Sequence, residues 1–214
     1  MKKIMTLPLL ICLILMITAC RQVPETPPIP PDPSTYEKIQ ARLQEMVTYK
    51  AEAVVRYISN KGENEYTTIQ HVRMTGEYRI EVIGPENVSG NITMSNGETI
   101  YQFNENIGAK ISLGTTDVKE RTKILLTSFL ENYLKSDETS AEVVNLEEGE
   151  ITILEASISG NHQYMSRQTL WIDNKTLNPM RLIVSNSSGQ ETIVVTYSSF
   201  EYNIELEDSL FILE

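Results

Sequence analysis

Two hydrophobic periods alternate along this chain. Over residues 34–48, Ile39, Leu43, Met46 and Val47 recur on one stripe, which predicts an amphipathic helix capped by Ser34 with Glu37. From 51 to 113 the period falls to two, predicting strands at 51–58, 66–74, 78–83, 91–95, 99–103 and 109–113. Asn60, Gly62, Gly76 and Gly84-Pro85 punctuate them. Asn96-Gly97 is the sharpest hairpin signal, because both positions tolerate positive φ. A helical period then returns: Leu125, Phe129 and Tyr133, with Leu126, Leu130 and Leu134 beside them, preceded by the cap pair Asp117 and Glu120. So wide a stripe suits a packed core helix or a lid over an apolar cavity. Strands resume at 142–146, 151–158, 163–172, 180–185 and 192–197. In the tail, Phe200, Tyr202, Leu210, Phe211 and Ile212 are expected to pack back.

This pattern predicts a mainly β (α+β) domain of about eleven antiparallel strands. So many short strands must curl, and helices on one side would plug the resulting half-barrel. No period of 20–50 residues repeats, which argues against a solenoid or propeller.

The N-terminus has a different character. Lys2 and Lys3 precede an unbroken apolar run from 9 to 17, and Ile17-Thr18-Ala19-Cys20 follows. These four residues resemble a bacterial lipobox, in which Cys20 is lipidated and becomes the first residue. The alternatives are an ordinary secretory leader and a membrane-spanning helix; the latter is interrupted by Pro8 and short for the task. Pro24, Pro27, Pro28, Pro30, Pro31 and Pro33 then mark a polyproline spacer. The expected organisation is a lipoprotein signal at 1–19, a lipidated cysteine and tether at 20–33, and a single domain at 34–214. The protein is thus expected to be extracytoplasmic and lipid-anchored. Cys12 leaves with the leader and a lipidated Cys20 has no free thiol, so no intramolecular disulfide is expected.

Charge narrows the partners. The formal charge is −11, and loss of Lys2 and Lys3 would deepen it to −13. Nucleic acid is therefore not expected as a partner, because its phosphates are neutralised by Lys and Arg. The body should also stand away from anionic headgroups, leaving membrane contact to the lipid.

The search for chemistry is mostly negative. No G-x-S-x-G elbow, P-loop or dinucleotide fingerprint occurs. The histidines, His71 and His162, lie too far apart in sequence for metal-ligand spacing. Glu147, Glu148 and Glu150 flank a turn and Glu201, Glu205, Glu207 and Asp208 crowd the tail, where solvated charge is the plain reading. The chain is expected to be no enzyme, with no catalytic, cofactor or metal residues of its own.

Certain local pieces carry a resemblance. Tyr78-Arg79-Ile80-Glu81, Ser95-Asn96-Gly97 leading to Ile100-Tyr101, Leu170-Trp171-Ile172-Asp173 and Pro179-Met180-Arg181-Leu182 resemble the bacterial lipoprotein-carrier (LolA/LolB-like) superfamily. That resemblance implies an unclosed antiparallel β-barrel with helices packed across the opening. Within the superfamily, the whole sequence is similar to the clostridial GerS-type germination lipoproteins. The similarity implies a role in spore germination at a membrane of the spore or forespore envelope. It implies binding and activation of a CwlD-type N-acetylmuramoyl-L-alanine amidase, so that cortex peptidoglycan acquires muramic-δ-lactam. Zinc and catalytic groups would then belong to the partner. The alternative is a lipid- or lipoprotein-binding carrier, or an envelope-stress sensor, with an apolar cavity. Exposed strand-edge groups near Arg79 and Trp171 are the candidate partner-binding residues, with core packing as the competing role for Trp171. A strand edge also allows exchange between identical chains, hence a homodimer.

Overall fold

The computed structural model describes residues 29–30, 32–104, 107–113, 122–136, 138–147, 149–160 and 163–212, with only the backbone of 109, 110, 112 and 113. The first helix is α1 (Pro33–Gln44), and six strands follow: β1 (Thr48–Ser59), β2 (Gly62–Arg73), β3 (Glu77–Gly84), β4 (Asn91–Asn96), β5 (Ile100–Asn104) and β6 (Ala109–Leu113). After α2 (Leu126–Lys135) come β7 (Thr139–Leu146), β8 (Gly149–Ser157), β9 (Arg167–Asp173), β10 (Pro179–Ser185) and β11 (Glu191–Tyr202). All eleven strands join one antiparallel sheet in the order β6-β5-β4-β3-β2-β1-β11-β10-β9-β8-β7. The first and last strands of that order do not pair, so the barrel is unclosed, as expected.

Alternation assigns the two faces. Tyr49, Ala51, Ala53 and Val55 of β1 point to the concave side and are essentially unexposed. Register carries that side to Val72, Tyr78 and Ile80 in one direction and to Val195, Leu182, Leu170 and Leu154 in the other. Ile39 and Leu43 of α1 and Leu126, Phe129 and Leu130 of α2 complete this core.

The helix ends differ from expectation. Asp32 caps α1, its Oδ1 accepting from the Ser34 N–H at 3.1 Å and its Oδ2 from the Ser34 hydroxyl at 2.9 Å. Pro33 has no N–H to satisfy and a preset φ, so the helix starts there and the cap falls on Asp32, not Ser34. The helix stops at Gln44, and Val47, expected on its buried stripe, is 63% exposed. The Asp117–Glu120 pair lies outside the described residues; within them, a 3-10 turn at Thr122–Ile124 leads into α2. Leu125, Leu126 and Phe129 are fully buried whereas Leu134 is exposed, so α2 is a packed core helix.

The tail does pack back. Asn203, at φ 54°, accepts from the Val47 N–H through Oδ1 and donates from Nδ2 to the Glu45 carbonyl. A turn at Asp208–Phe211 lies against β3 and β4 on the convex face and buries Phe211. Arg73 fastens it, donating to the Leu206 carbonyl at 2.7 Å and to Asp208 at 2.6 Å, with its guanidinium over the Phe211 ring. Ile212 is exposed.

Candidate partner-binding surface

The concave face holds α2 through buried polar groups at otherwise apolar positions. Tyr49 accepts from the Leu126 N–H at 3.3 Å and donates to Gln70 Oε1 at 3.4 Å. On the opposite wall, Gln168 donates to the Lys123 carbonyl at 3.0 Å and accepts from Asn132 Nδ2 at 2.6 Å. Both glutamines are completely buried. The two helices are joined by the Tyr36 and Tyr133 hydroxyls, 2.8 Å apart, and by Gln40 donating to Tyr133. Burial, then the Tyr36 hydroxyl, pushes the Tyr133 phenol above its ordinary pKa. These contacts fix α2 across the opening.

Between β1–β5 and Ile124 a cavity of about 290 Å³ remains. Val55, Ile80, Val82 and Val88 form its apolar wall; Thr68, Asn91, Thr93 and Gln102 give it a polar side. That is just below the ~300–1,000 Å³ usual for small-molecule sites.

The sheet's two ends differ. At β7 the Val143 N–H donates to the Ile29 carbonyl at 2.7 Å, so the stretch before α1 bridges that edge. At β6 the sheet order ends, and Ile107 just before it and Ile111 within it are 74% and 59% exposed.

Neither candidate residue sits at an edge, which corrects the expected strand-edge placement. Arg79 is on β3, between β2 and β4; Trp171 is on β9, between β8 and β10. Alternating apolar residues reveal a face but not a neighbour, so edge position was not legible. Both side chains lie on the convex face, five strand steps apart, or about 24 Å along the sheet. Arg79 pairs with Glu81 at 3.5 Å and stacks over Phe103. Trp171 is half-buried under the Arg181 guanidinium and lines a groove with Leu146, Ile151 and Met180. Cys20 lies outside the described residues. The sequence reading missed Gln70 and Gln168; a polar residue at an inward register was the available signal.

His71 stands between Lys50 and Arg79 on the convex face. Partial burial, then these two cations, lower its pKa, against the opposing pull of Glu81. Among the described residues, no three of His, Cys, Asp and Glu gather as a metal site, and no helix is long and apolar enough to cross a membrane.

The family described as "Sporulation protein YdcC-like" matches residues 1–211. No curated protein matches the sequence. Among solved structures, an uncharacterized conserved protein from Thermus thermophilus is similar with a TM-score of 0.53 and 14% identity, over 84% of this chain and 94% of that one. The CwlD amidase from Clostridioides difficile in complex with the GerS lipoprotein gives a TM-score of 0.49 and 28% identity, over 79% and 95%. The LolA superfamily protein NE2245 from Nitrosomonas europaea gives 0.46 and 12%, over 84% and 96%.

Proposed function

The chain belongs to the YdcC-like sporulation protein family, and on that premise we propose a non-catalytic lipoprotein that binds a cortex amidase of the CwlD type and switches it on. In this reading Cys20 carries the lipid, residues 20–33 are the tether, and 34–214 form one extracytoplasmic binding domain in the spore envelope. The zinc and the catalytic groups belong to the enzyme it binds, and the outcome is muramic-δ-lactam in the cortex and a spore able to germinate.

The observation that carries this reading is the filled barrel. Tyr49, Leu126, Phe129, Leu154 and Leu170 occupy the interior with no exposure, and the hollow lined by Val55, Ile80, Thr93 and Gln102 measures only about 290 Å³. A carrier must enclose a lipid larger than the small molecules that fill ~300–1,000 Å³. A filled half-barrel offers outer surfaces and strand edges instead, which suits a protein that acts by contact. The choice of an amidase rests on the sequence similarity to GerS-type lipoproteins.

The test mixes the full chain, purified from membranes in detergent, with a CwlD-type amidase. Co-elution and a rise in amidase activity are expected; no co-elution and no rise would sink the proposal. The apolar wall of Val55, Ile80, Val82 and Val88 favours a second reading, a carrier of a narrow apolar ligand. Native mass spectrometry of the membrane-purified protein decides it: bound lipid in most molecules supports the carrier, and consistently empty protein rejects it.

A further inference from the structure

We propose that the partner adds an extended strand to β6 and sets one apolar side chain of that strand against the concave cavity. This rests on the partner-binding reading above and specifies where and how contact is made.

The two ends of the sheet are not equivalent. The β7 edge is bridged at its middle by Ile29, through the 2.7 Å bond to Val143. At β6 the ladder runs from Asn104↔Ala109 to Ile100↔Leu113, and among the described residues no strand lies beyond it. On an edge strand, backbone N–H and C=O groups alternately point away from the sheet and need a partner. Sheets commonly protect such edges with Lys, Pro or a bulge; β6 has one such residue, Lys110, opposite Phe103. Here the middle of the strand presents Ile111, 59% exposed, and Ile107 stands exposed just before it.

Register connects this edge to the cavity. Ile111 pairs with Gln102, Gln102 with Thr93, and Thr93 with Ile80, one row on the concave side. Gln102, Thr93 and Ile80 all line the cavity. A residue paired with Ile111 in an added strand would extend the same row and stand on the cavity side. Strand pairing would supply the affinity, and the exposed Ile111 side chain, next in the row after Gln102, would select a large apolar neighbour. With a chain charge of −11, basic residues flanking that side chain would favour encounter. The fitting partner is therefore a proline-free extended segment, apolar at alternate positions and basic at its ends.

The experiment measures amidase binding by the full chain in detergent, for wild type, Ile111→Lys and Ile111→Val. Ile111 is exposed, so neither change should alter the thermal unfolding midpoint. Ile111→Lys is expected to weaken binding about 30-fold, the effect of losing an interface anchor, while Ile111→Val retains it. Equal binding by all three overturns the strand proposal and leaves amidase binding intact. No binding by wild type overturns both. A self-dimer that dissociates in Ile111→Lys, with amidase binding unchanged, assigns the edge to a second copy and also overturns the proposal.

Discussion

His71 shows how burial and neighbouring charges act together at one position. Its cross-strand neighbours are Lys50 and Arg79, and its Nδ1 is buried with no partner among the described residues. Partial burial and the two cations disfavour the imidazolium, while Glu81 favours it. The folded-state pKa thus lies below the ordinary value of about 6.5, and the folded chain binds fewer protons than the unfolded one. Its contribution to stability is complete above about pH 6.5 and is lost as the pH falls into the window below. Thermal unfolding midpoints should therefore drop as the pH falls below about 6.5, and drop less in His71→Gln. Parallel pH curves for the two proteins would show that His71 is not the source. No sequence pattern announced this: an alternating strand places His71 on the convex face, but the flanking cations come from two other strands.

At the scale of elements, the clamp on α2 makes a sharper prediction. Gln168→Ala removes both the acceptor for Asn132 and the donor to the Lys123 carbonyl, in a completely buried position. The expected loss is about 1–3 kcal/mol in urea unfolding. Asn132→Ala should add little once Gln168 is gone, because the two share a bond; full additivity of the pair would contradict the clamp. The elements themselves were largely legible. Period two found every strand and the apolar stripes found both helices, because each depends on spacing within a short window. Boundaries moved where a local competitor decided them, as Pro33 and Asp32 did at α1. The pairing of β1 with β11, Tyr49 opposite Tyr202, is set by closure of the chain over most of its length, which no local period encodes. For the same reason the edge positions expected for Arg79 and Trp171 were misplaced, and the true edges, β6 and β7, became visible only with the sheet order.

At the scale of the whole molecule, the bridge between Ile29 and Val143 matters because it fixes where the tether meets the body. In the proposed arrangement the lipid is on Cys20, and the nine residues from there to Ile29 can reach no further than about 30 Å. The domain would hang from its β7 end, leaving β6, the opposite end of the sheet order, to meet a partner in the same narrow space. A leash of that length confines the two proteins and raises the effective concentration of one for the other, without adding a contact. The consequence separates location from binding. Cys20→Ser should leave the fold and the activation of purified amidase unchanged, since neither uses the lipid, while spores carrying it should germinate poorly. Muramic-δ-lactam content of the cortex, measured beside amidase activation by the purified variant, reads both halves at once. Normal cortex from the unanchored form would make the tether dispensable, and loss of activation in the purified variant would give residue 20 a role in the contact itself.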